Sequence, residues 1–312
     1  MVAQVTWIYQ SDDIDPAAVA GFEQSITKRY AAVSESRGFK FRAVNASELV
    51  PLCLGKPVLR YQGQDLLSQK QCFIVEDTSP DSQSHQALQA IYRTIAMSDS
   101  VLLNRSFDGP DYLERDKLGI LQYAAKLGIP TAATISVPHG AYARRAIREV
   151  REAIGDGPYI LKPREMSSGT GVLRIDSDQQ LSSAIDIAAQ TGAAYIIQPF
   201  IPHHADMRVF MADGEVVSSL SRRPKHNGYL ASVSQGGSIE VNEDHLQVID
   251  ACRKIAASLH AEWICIDWLM TESGPLLNEW CTAYGGFTMM PEPELSQVAD
   301  AFFGWIERKS GN

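Results

Sequence analysis

The centre of the chain reads Tyr159-Ile160-Leu161-Lys162-Pro163-Arg164-Glu165-Met166-Ser167-Ser168-Gly169-Thr170-Gly171-Val172. The apolar run that ends at Lys162 predicts a strand, the segment rich in serine and glycine predicts a loop, and Val172 resumes the strand pattern. Glycines let a backbone approach an anion closely, and consecutive N–H groups in such a loop form an anion-binding nest. Because Lys162 adds a positive charge beside this loop, the segment predicts a site for the phosphates of a nucleotide.

A second interpretation of this segment is a surface β-hairpin whose lysine is solvated. A Walker loop is excluded, because the pattern Gly-x-x-x-x-Gly-Lys-Ser/Thr is absent and Lys162 precedes the glycines. Taken alone, the segment leaves the phosphate site and the plain hairpin as alternatives.

The bulk composition indicates a globular protein of two or three lobes. The chain has 312 residues, a hydrophobic content of 45% and a net charge of −9. This acidic balance argues against broad binding of nucleic acid or of an anionic membrane, for which a basic face is expected. Five scattered cysteines without a C-x-x-C pair argue against a disulfide framework or a zinc site. The N-terminus resembles a first strand and not a signal peptide, so we expect a cytoplasmic protein.

Strand and helix patterns alternate over the first 110 residues or so, which predicts a small α/β lobe closed by a strand at Ser100–Arg105. Asp108-Gly109-Pro110-Asp111 marks the boundary of this lobe. Lys117 then stands at the start of a predicted helix, where a cation opposes the helix dipole. An anionic ligand would explain this lysine, and simple solvation would explain it too.

Two carboxylates lie in the strand patterns that flank the turn at Ser273. If the turn is centred there, Asp267 and Glu279 face each other across an antiparallel pair, and Leu269 faces Leu277. Like charges in that position are destabilising, so a cation between them or a proton on one is required. Oxygen ligands suit Mg²⁺, which also takes substrate phosphates. The alternative is that one carboxylate lies at a frayed strand end in solvent.

The order of these features resembles the ATP-grasp superfamily. The resemblance runs from about Leu102 to Gly286 and is greatest to glutathione synthetase and the ribosomal-protein glutamate ligases. Its motifs are, in chain order, Lys117, Lys162 with the glycine-rich loop, the Gln198–Ile201 hinge, Arg208, Arg222, Gly236-Gly237, Asp267 and Glu279.

The resemblance implies an α/β (α+β) ATP-grasp fold in three parts. The parts are an N-terminal pre-ATP-grasp domain over residues 1–112, a central lobe over 113–200 and a C-terminal lobe over 201–312. In this arrangement the two later lobes enclose ATP between them.

The resemblance also implies roles for individual residues. The ATP phosphates would be bound by Lys117 and Lys162, under a loop formed by Ser167, Ser168, Gly169, Thr170 and Gly171. Adenine would be read by Gln198 and the main chain through Pro199, Phe200 and Ile201. The catalytic residues would be Arg208 and Arg222, of which the second is chosen over Arg223. Two Mg²⁺ ions would be held by Asp267, Glu279 and the residue at position 281.

This chain departs from the family pattern at two positions. The family's Glu-x-Asn metal motif stands here as Glu279-Trp280-Cys281, and a thiol is a poor Mg²⁺ ligand. The asparagine expected before the paired glycines is Ser232. One metal is then held more loosely, or Asn278 substitutes for the missing amide after a local shift.

The implied reaction is the ATP-dependent joining of a carboxylate to an amine through an acyl phosphate. Small amino acids or peptides are the expected substrates, with neither nucleic acid nor membrane as a partner, and the resemblance implies a homo-oligomer. Two alternatives remain, a kinase that phosphorylates a hydroxyl group and a nucleotide-binding protein without turnover.

Overall fold

The protein is described by a computed structural model that covers residues 4–9, 16–76, 82–104, 114, 116–166, 169–224, 229, 231, 237–240 and 244–311. The predicted lobe boundary at Asp108–Asp111 lies outside these residues. Within the part of the chain described, no helix is both long and apolar enough to cross a membrane.

The N-terminal part contains a four-stranded parallel sheet with the order β2-β1-β6-β7. The first strand is buried along almost its whole length, as expected of a strand in a parallel sheet covered on both faces. The elements are β1 (Gln4–Tyr9), α1 (Pro16–Glu35), β2 (Lys40–Asn45), the antiparallel strands β3 (Leu49–Cys53), β4 (Pro57–Tyr61) and β5 (Gln64–Asp65), then β6 (Cys72–Glu76), α2 (Ser82–Ala96) and β7 (Val101–Leu102). The α/β pattern predicted for this part is therefore confirmed.

The strand predicted at Ser100–Arg105 is much shorter than expected. Only Val101 and Leu102 belong to β7, although the Leu103 amide still donates to Phe73. The side chain of Asn104 then replaces the backbone, since it accepts from the Val75 amide at 2.9 Å and donates to the Val75 carbonyl at 2.7 Å. A side-chain amide has the same donor and acceptor as a peptide unit, so it ends the ladder without leaving Val75 unpaired.

The central part is a four-stranded antiparallel sheet with the order β10-β9-β11-β8. One face packs on two helices in a core that includes Tyr159, Leu161, Val150 and Leu181. The elements are α3 (Lys117–Lys126), β8 (Ile135–Ser136), α4 (Arg145–Ala153), β9 (Tyr159–Pro163), β10 (Leu173–Ile175), α5 (Asp178–Ala188) and β11 (Tyr195–Pro199). The predicted strand–loop–strand over 159–175 is confirmed.

The C-terminal part is a five-stranded antiparallel sheet with the order β14-β13-β12-β15-β16. Its elements are β12 (Ala205–Ala212), β13 (Glu215–Arg223), β14 (Ser238–Glu240), α6 (Ile249–Leu259), β15 (Trp263–Thr271), β16 (Gly274–Cys281) and α7 (Glu294–Ser310). The segment 200–204 connects this sheet to the central one. It occupies the place predicted for a hinge between lobes.

One apolar core joins the N-terminal and C-terminal sheets. The rings of Trp7 and Tyr284 have centroids 5.3 Å apart, and those of Tyr284 and Phe302 are 4.9 Å apart. A second core, on the other face of the five-stranded sheet, includes Ile120 of α3 and Ile255 of α6. Strand β16 is thereby fixed next to α3. The predicted domain limits at 112 and 200 stay predictions. The core around Trp7 and Tyr284 contains residues from before the first limit and from after the second.

Candidate active site

Lys162 lies on the face of the central sheet that the helices leave open. Its neighbours Tyr159 and Leu161 enter the helical core, and the alternation of a strand directs Lys162 the other way. The residue is only 8% exposed, and its Nζ donates to Asn278 Oδ1 of β16 at 3.2 Å. The solvated-hairpin interpretation is therefore wrong, and this lysine bridges two sheets.

Burial, and after it the nearby charge of Lys117, lowers the pKa of Lys162 to about 8. The carboxylates of Glu279 and Asp206 act in the opposite direction. Two ammonium groups thus lie in one pocket, and the nearby carboxylates do not fully offset the lowering of the Lys162 pKa. An arriving anion would relieve this repulsion.

Lys117 is the first residue of α3, and its side chain turns back towards the same pocket. Its Nζ donates to the Met166 carbonyl and lies 3.5 Å from Glu279 Oε2, with only 12% of the side chain exposed. Simple solvation, the second interpretation of this lysine, is therefore wrong. Asp116 caps the helix by accepting from the Leu118 amide at 3.0 Å, which stabilises a helix start that carries a cation.

Four charged side chains form a connected group on the five-stranded sheet. Arg208 donates from Nε and Nη2 to the two oxygens of Asp267, at 2.6 Å each. Arg222 donates from Nη2 to Asp206 at 2.7 Å and to Asp267 at 2.8 Å. The strand register explains the pairing, because Arg208 is the Cα partner of Asp267 and Arg222 that of Asp206.

These pairs set the ionisation of the buried acids. Burial by itself raises the pKa of Asp267, but Arg208 and Arg222 outweigh it and bring that pKa down to about 2. For Asp206, burial is the larger effect and its pKa is raised, although Arg222 opposes the change. Burial by itself lowers the pKa values of Arg208 and Arg222, but Asp267 raises the first and Asp206 with Asp267 raises the second, so both arginines remain charged.

Asp267 and Glu279 are directly opposed, as the sequence predicts. The predicted register is nevertheless wrong on one side of this pair, since Leu269 faces Leu276 and not Leu277. The turn is centred between Glu272 and Ser273, because Thr271 pairs with Gly274, and an extra residue, Asn278, restores the alignment further along. This β-bulge is a local feature that period-two alternation does not reveal.

Different cationic side chains of the protein lie next to the two carboxylates, and the prediction did not include these partners. Asp267 is 2% exposed and has two arginines as partners, while Glu279 faces Lys117. Neither acid lies at a frayed end in solvent as the alternative proposed, although Glu279 is partly exposed. The described residues contain no cluster of three or more His, Cys, Asp or Glu side chains poised for a metal.

The donor chemistry still fits Mg²⁺. Glu279 and Asn278 offer oxygens to one pocket, and Mg²⁺ is commonly held by one or two carboxylates plus substrate phosphates. Cys281 fits poorly, because a thiol is a poor Mg²⁺ ligand and its Sγ lies 3.7 Å from the Sγ of Cys265 at the edge of the apolar core. The assignment of Asp267, Glu279 and Cys281 as metal ligands stays a prediction.

The predicted adenine segment lies at the end of β11. Gln198 is buried and donates from Nε2 to Thr134 Oγ1 at 2.8 Å, and the Phe200 amide donates to the Pro158 carbonyl at 2.8 Å. These bonds fix the start of the connection that continues through Ile201. The adenine-binding roles of Gln198, Pro199, Phe200 and Ile201 stay predictions.

The glycine-rich loop is described in part. Gly169 and Gly171 have φ values of 78° and 69°, a conformation that favours glycine. Ser167 and Ser168 lie outside the described residues, as do Ser232 and Gly236. Phosphate binding by this loop, including Thr170, stays a prediction.

The sequence analysis did not identify several residues of the site. Asp206 precedes Arg208 by two positions in one strand, so strand alternation could have placed both on one face. Arg164 and Asp116, which are far apart in the chain, pair beside the lysines. No local signal marks the bulge at Asn278.

Comparison with known proteins agrees with this fold. The family model of the ATP-grasp domain of prokaryotic glutathione synthetase matches residues 125–267. A probable alpha-L-glutamate ligase of Vibrio atlanticus is 23% identical over 296 residues, which are 91% of this chain and 92% of that protein. The ribosomal protein bS6–L-glutamate ligase of Escherichia coli is 26% identical over 196 residues, or 62% of this chain and 64% of that protein.

Comparison with solved structures also indicates this fold. D-cycloserine synthetase DcsG is similar with a TM-score of 0.71 at 15% identity, covering 98% of this chain and 100% of that one. D-alanyl-alanine synthetase A of Vibrio cholerae also has a TM-score of 0.71, at 12% identity, covering 100% and 99%. The protein therefore has the ATP-grasp fold. It resembles ligases of the glutathione synthetase and glutamate ligase type.

Proposed function

We propose that this protein is an ATP-dependent ligase that joins a carboxylate to an amine. The observation that carries the proposal is that the buried Lys162 and the largely buried Lys117 lie close to a group of arginines and acids. Lys162 contacts Asn278 at 3.2 Å, and Lys117 lies 3.5 Å from Glu279. On the same sheet, Arg208 and Arg222 share Asp267. A pocket with this charge pattern suits a polyphosphate next to a second anionic substrate.

The proposed reaction has two steps. An oxygen of the substrate carboxylate attacks the γ-phosphorus of ATP, the bond to the bridging oxygen breaks, and ADP leaves from an acyl phosphate. An amine then attacks the acyl carbon, the carbon–oxygen bond to phosphate breaks, and an amide, a proton and free phosphate result. No enzyme nucleophile takes part, so positioning and charge neutralisation carry the catalysis.

The residues divide this work. Lys117 and Lys162 hold the phosphates of ATP, and their shared pocket excludes most of the water. Arg208 and Arg222 face the substrate side, where they neutralise negative charge that develops on the acyl phosphate and then on the carbonyl oxygen. Asp267 holds both guanidinium groups in place, and Asp206 holds the second. Mg²⁺, when bound through Glu279 and neighbouring oxygens, would supply further positive charge to the phosphate oxygens, and two ions are the expected number.

The substrates proposed are a free amino acid or a small peptide together with a small amine. The named relatives are ligases for glutamate, which supports an amino acid as one of the two substrates. A homo-oligomer and a cytoplasmic location stay predictions.

The proposal is tested with ATP, Mg²⁺ and a panel of carboxylates, with hydroxylamine as the acceptor amine. We expect ADP, phosphate and a hydroxamate from at least one carboxylate, and loss of all three in Lys162→Ala. ADP without phosphate, accompanied by a phosphorylated hydroxyl compound, would establish a kinase instead. Nucleotide binding without turnover over a broad panel would contradict the ligase assignment.

A further inference from the structure

Strand β16 directs two consecutive side chains into the pocket. Leu277 and Trp280 are 1% and 3% exposed, and both pack in the core shared with α3 and α6. In a regular strand the residues between them would point to opposite faces. The register shift opposite Asp267 makes Asn278 an extra residue, so Asn278 and Glu279 both face away from that core.

The oxygens of these two side chains meet two cations of the protein. Asn278 Oδ1 accepts from Lys162 Nζ at 3.2 Å, and Glu279 Oε2 lies 3.5 Å from Lys117 Nζ. An amide oxygen next to a carboxylate is a donor pair that a hard divalent cation prefers. Each oxygen retains a lone pair beyond the one used by its lysine.

Cys281 lies in different surroundings, although it is only two positions beyond Glu279. Its Sγ is 3.7 Å from Cys265 Sγ, and Cys265 belongs to the same apolar core as Phe210 and Tyr284. A Cβ added to Gly285 would stand 2.2 Å from Cys265 Sγ, which shows how tightly this region is filled. Cys281 therefore lies beside a second thiol, with the carboxylates of Glu114 and Glu76 and the guanidinium of Arg208 in its vicinity. A thiol is a poor ligand for Mg²⁺, whatever charges surround it.

We propose that Asn278 and Glu279 are the adjacent oxygen ligands of a divalent cation that enters with the nucleotide, and that Cys281 is not a ligand. The inference rests on the proposed function in requiring a bound nucleotide. The bulge thereby restores an amide ligand that the sequence lacks at position 281. A cation held by Asn278 would leave Lys162 to donate to a phosphate oxygen instead.

The test measures Mn²⁺ affinity by the electron paramagnetic resonance of free Mn²⁺, with each variant saturated by a non-hydrolysable ATP analogue. We expect Asn278→Ala to raise the Mn²⁺ Kd by about tenfold or more, since loss of a single supporting interaction at a metal site commonly costs about 10- to 100-fold. Asn278→Asp, which keeps an oxygen, should stay within about threefold of the wild type on the same scale. Cys281→Ala should likewise keep its Mn²⁺ Kd within about threefold of the wild type. Cd²⁺ added to the wild type should give no thiolate charge-transfer absorption.

A second measurement separates the cation from the lysine. The affinity for the analogue in EDTA reports the effect of each variant on nucleotide binding without metal. If Asn278→Ala weakens that affinity by the same factor as the Mn²⁺ affinity, Asn278 acts only through Lys162 and the inference is wrong. A Cd²⁺–thiolate band lost in Cys281→Ala, or an unchanged Mn²⁺ affinity in Asn278→Ala, would also overturn it. Failure of the wild type to bind the analogue at all would instead refute the proposed function.

Discussion

Arg164 donates from Nε to Asp116 Oδ1 at 2.7 Å, and its carbonyl accepts from the Lys117 amide at 3.1 Å. Arg164 follows β9 by one residue, and Asp116 caps α3. The two residues therefore tie the end of the strand that carries Lys162 to the start of the helix that carries Lys117. The separation of the two ammonium groups depends on this contact.

Replacement of Asp116 should impair both folding and nucleotide binding. Asp116→Ala removes the helix cap, which costs about 1 kcal/mol, and also frees Arg164. We expect a lower Tm and a weaker affinity for an ATP analogue, measured by calorimetry. Ser177→Ala is the matched control, because Ser177 caps α5 through the Gln180 amide, in an exposed position. It should lower the Tm similarly and leave nucleotide affinity unchanged; equal effects of both variants on affinity would contradict this account.

Lys162 should contribute directly to nucleotide affinity. A charge-assisted hydrogen bond contributes about 1.5–3 kcal/mol, so Lys162→Met should weaken binding of an ATP analogue by about tenfold to a hundredfold. Lys126→Met, at the exposed end of α3, is the control and should bind normally. Equal affinities of Lys162→Met and the wild type would show that this lysine does not contact the nucleotide.

Binding should also be coupled to proton uptake. The pKa of Lys162 is about 8, against an ordinary value of 10.5, chiefly because burial disfavours its charge. The unfolded chain therefore binds more protons between these two values, and this group makes the ligand-free protein more stable as the pH rises from about 8 to 10.5. An anionic phosphate raises the pKa of Lys162 again, so analogue affinity should fall as the pH rises above about 8.

The measurement is titration calorimetry near pH 8 in buffers that differ in ionisation enthalpy. The wild type should take up protons when the analogue binds, and Lys162→Met should take up fewer. The same uptake in both proteins would assign the proton to another group.

Replacement of the two neighbouring arginines of β13 should have very different effects on turnover. Arg222 is held by Asp206 and Asp267 inside the site, whereas Arg223 pairs with Glu240 on the exposed surface. Loss of one preorganised donor typically reduces turnover by about 10²- to 10³-fold, so Arg222→Ala should lower kcat by that order while analogue binding persists. Arg223→Ala removes a surface pair and an exposed hydrogen bond to the His204 carbonyl, and it should stay near the wild-type rate. The opposite ranking would exchange the roles of the two residues.

The glycine-rich loop should tolerate no side chain at Gly171. A Cβ there would lie 2.8 Å from Pro163 Cγ, at a φ of 69° that costs an L-residue roughly 1–2 kcal/mol. We expect Gly171→Ala to raise the Kd for the ATP analogue. Gly192→Ala, where no heavy atom lies within 4 Å of the added Cβ, is the control. Unchanged affinity in Gly171→Ala would show that the loop conformation does not affect nucleotide binding.

Local patterns were sufficient for much of the fold. The strand–loop–strand at 159–175 follows from alternation and turn residues and is confirmed. The opposition of Asp267 and Glu279 is confirmed too, but it depends on the bulge at Asn278, which alternation does not predict. The strand at Ser100–Arg105 was overestimated, because the side chain of Asn104 takes over the pairing, which an apolar pattern does not encode. Motif order, and not any single motif, pointed to the ATP-grasp fold.

The sequence by itself therefore determined the elements, their order and the residue types available for chemistry. These properties depend on short-range rules, namely strand alternation, helix periodicity and the conformations that glycine allows. Only the tertiary structure decided which charges meet: Asp267 with two arginines, Lys162 with Asn278, and Asp116 with Arg164. Such pairings depend on the register of distant strands and on one extra residue at a bulge, and a shift of one position turns a side chain to the opposite face.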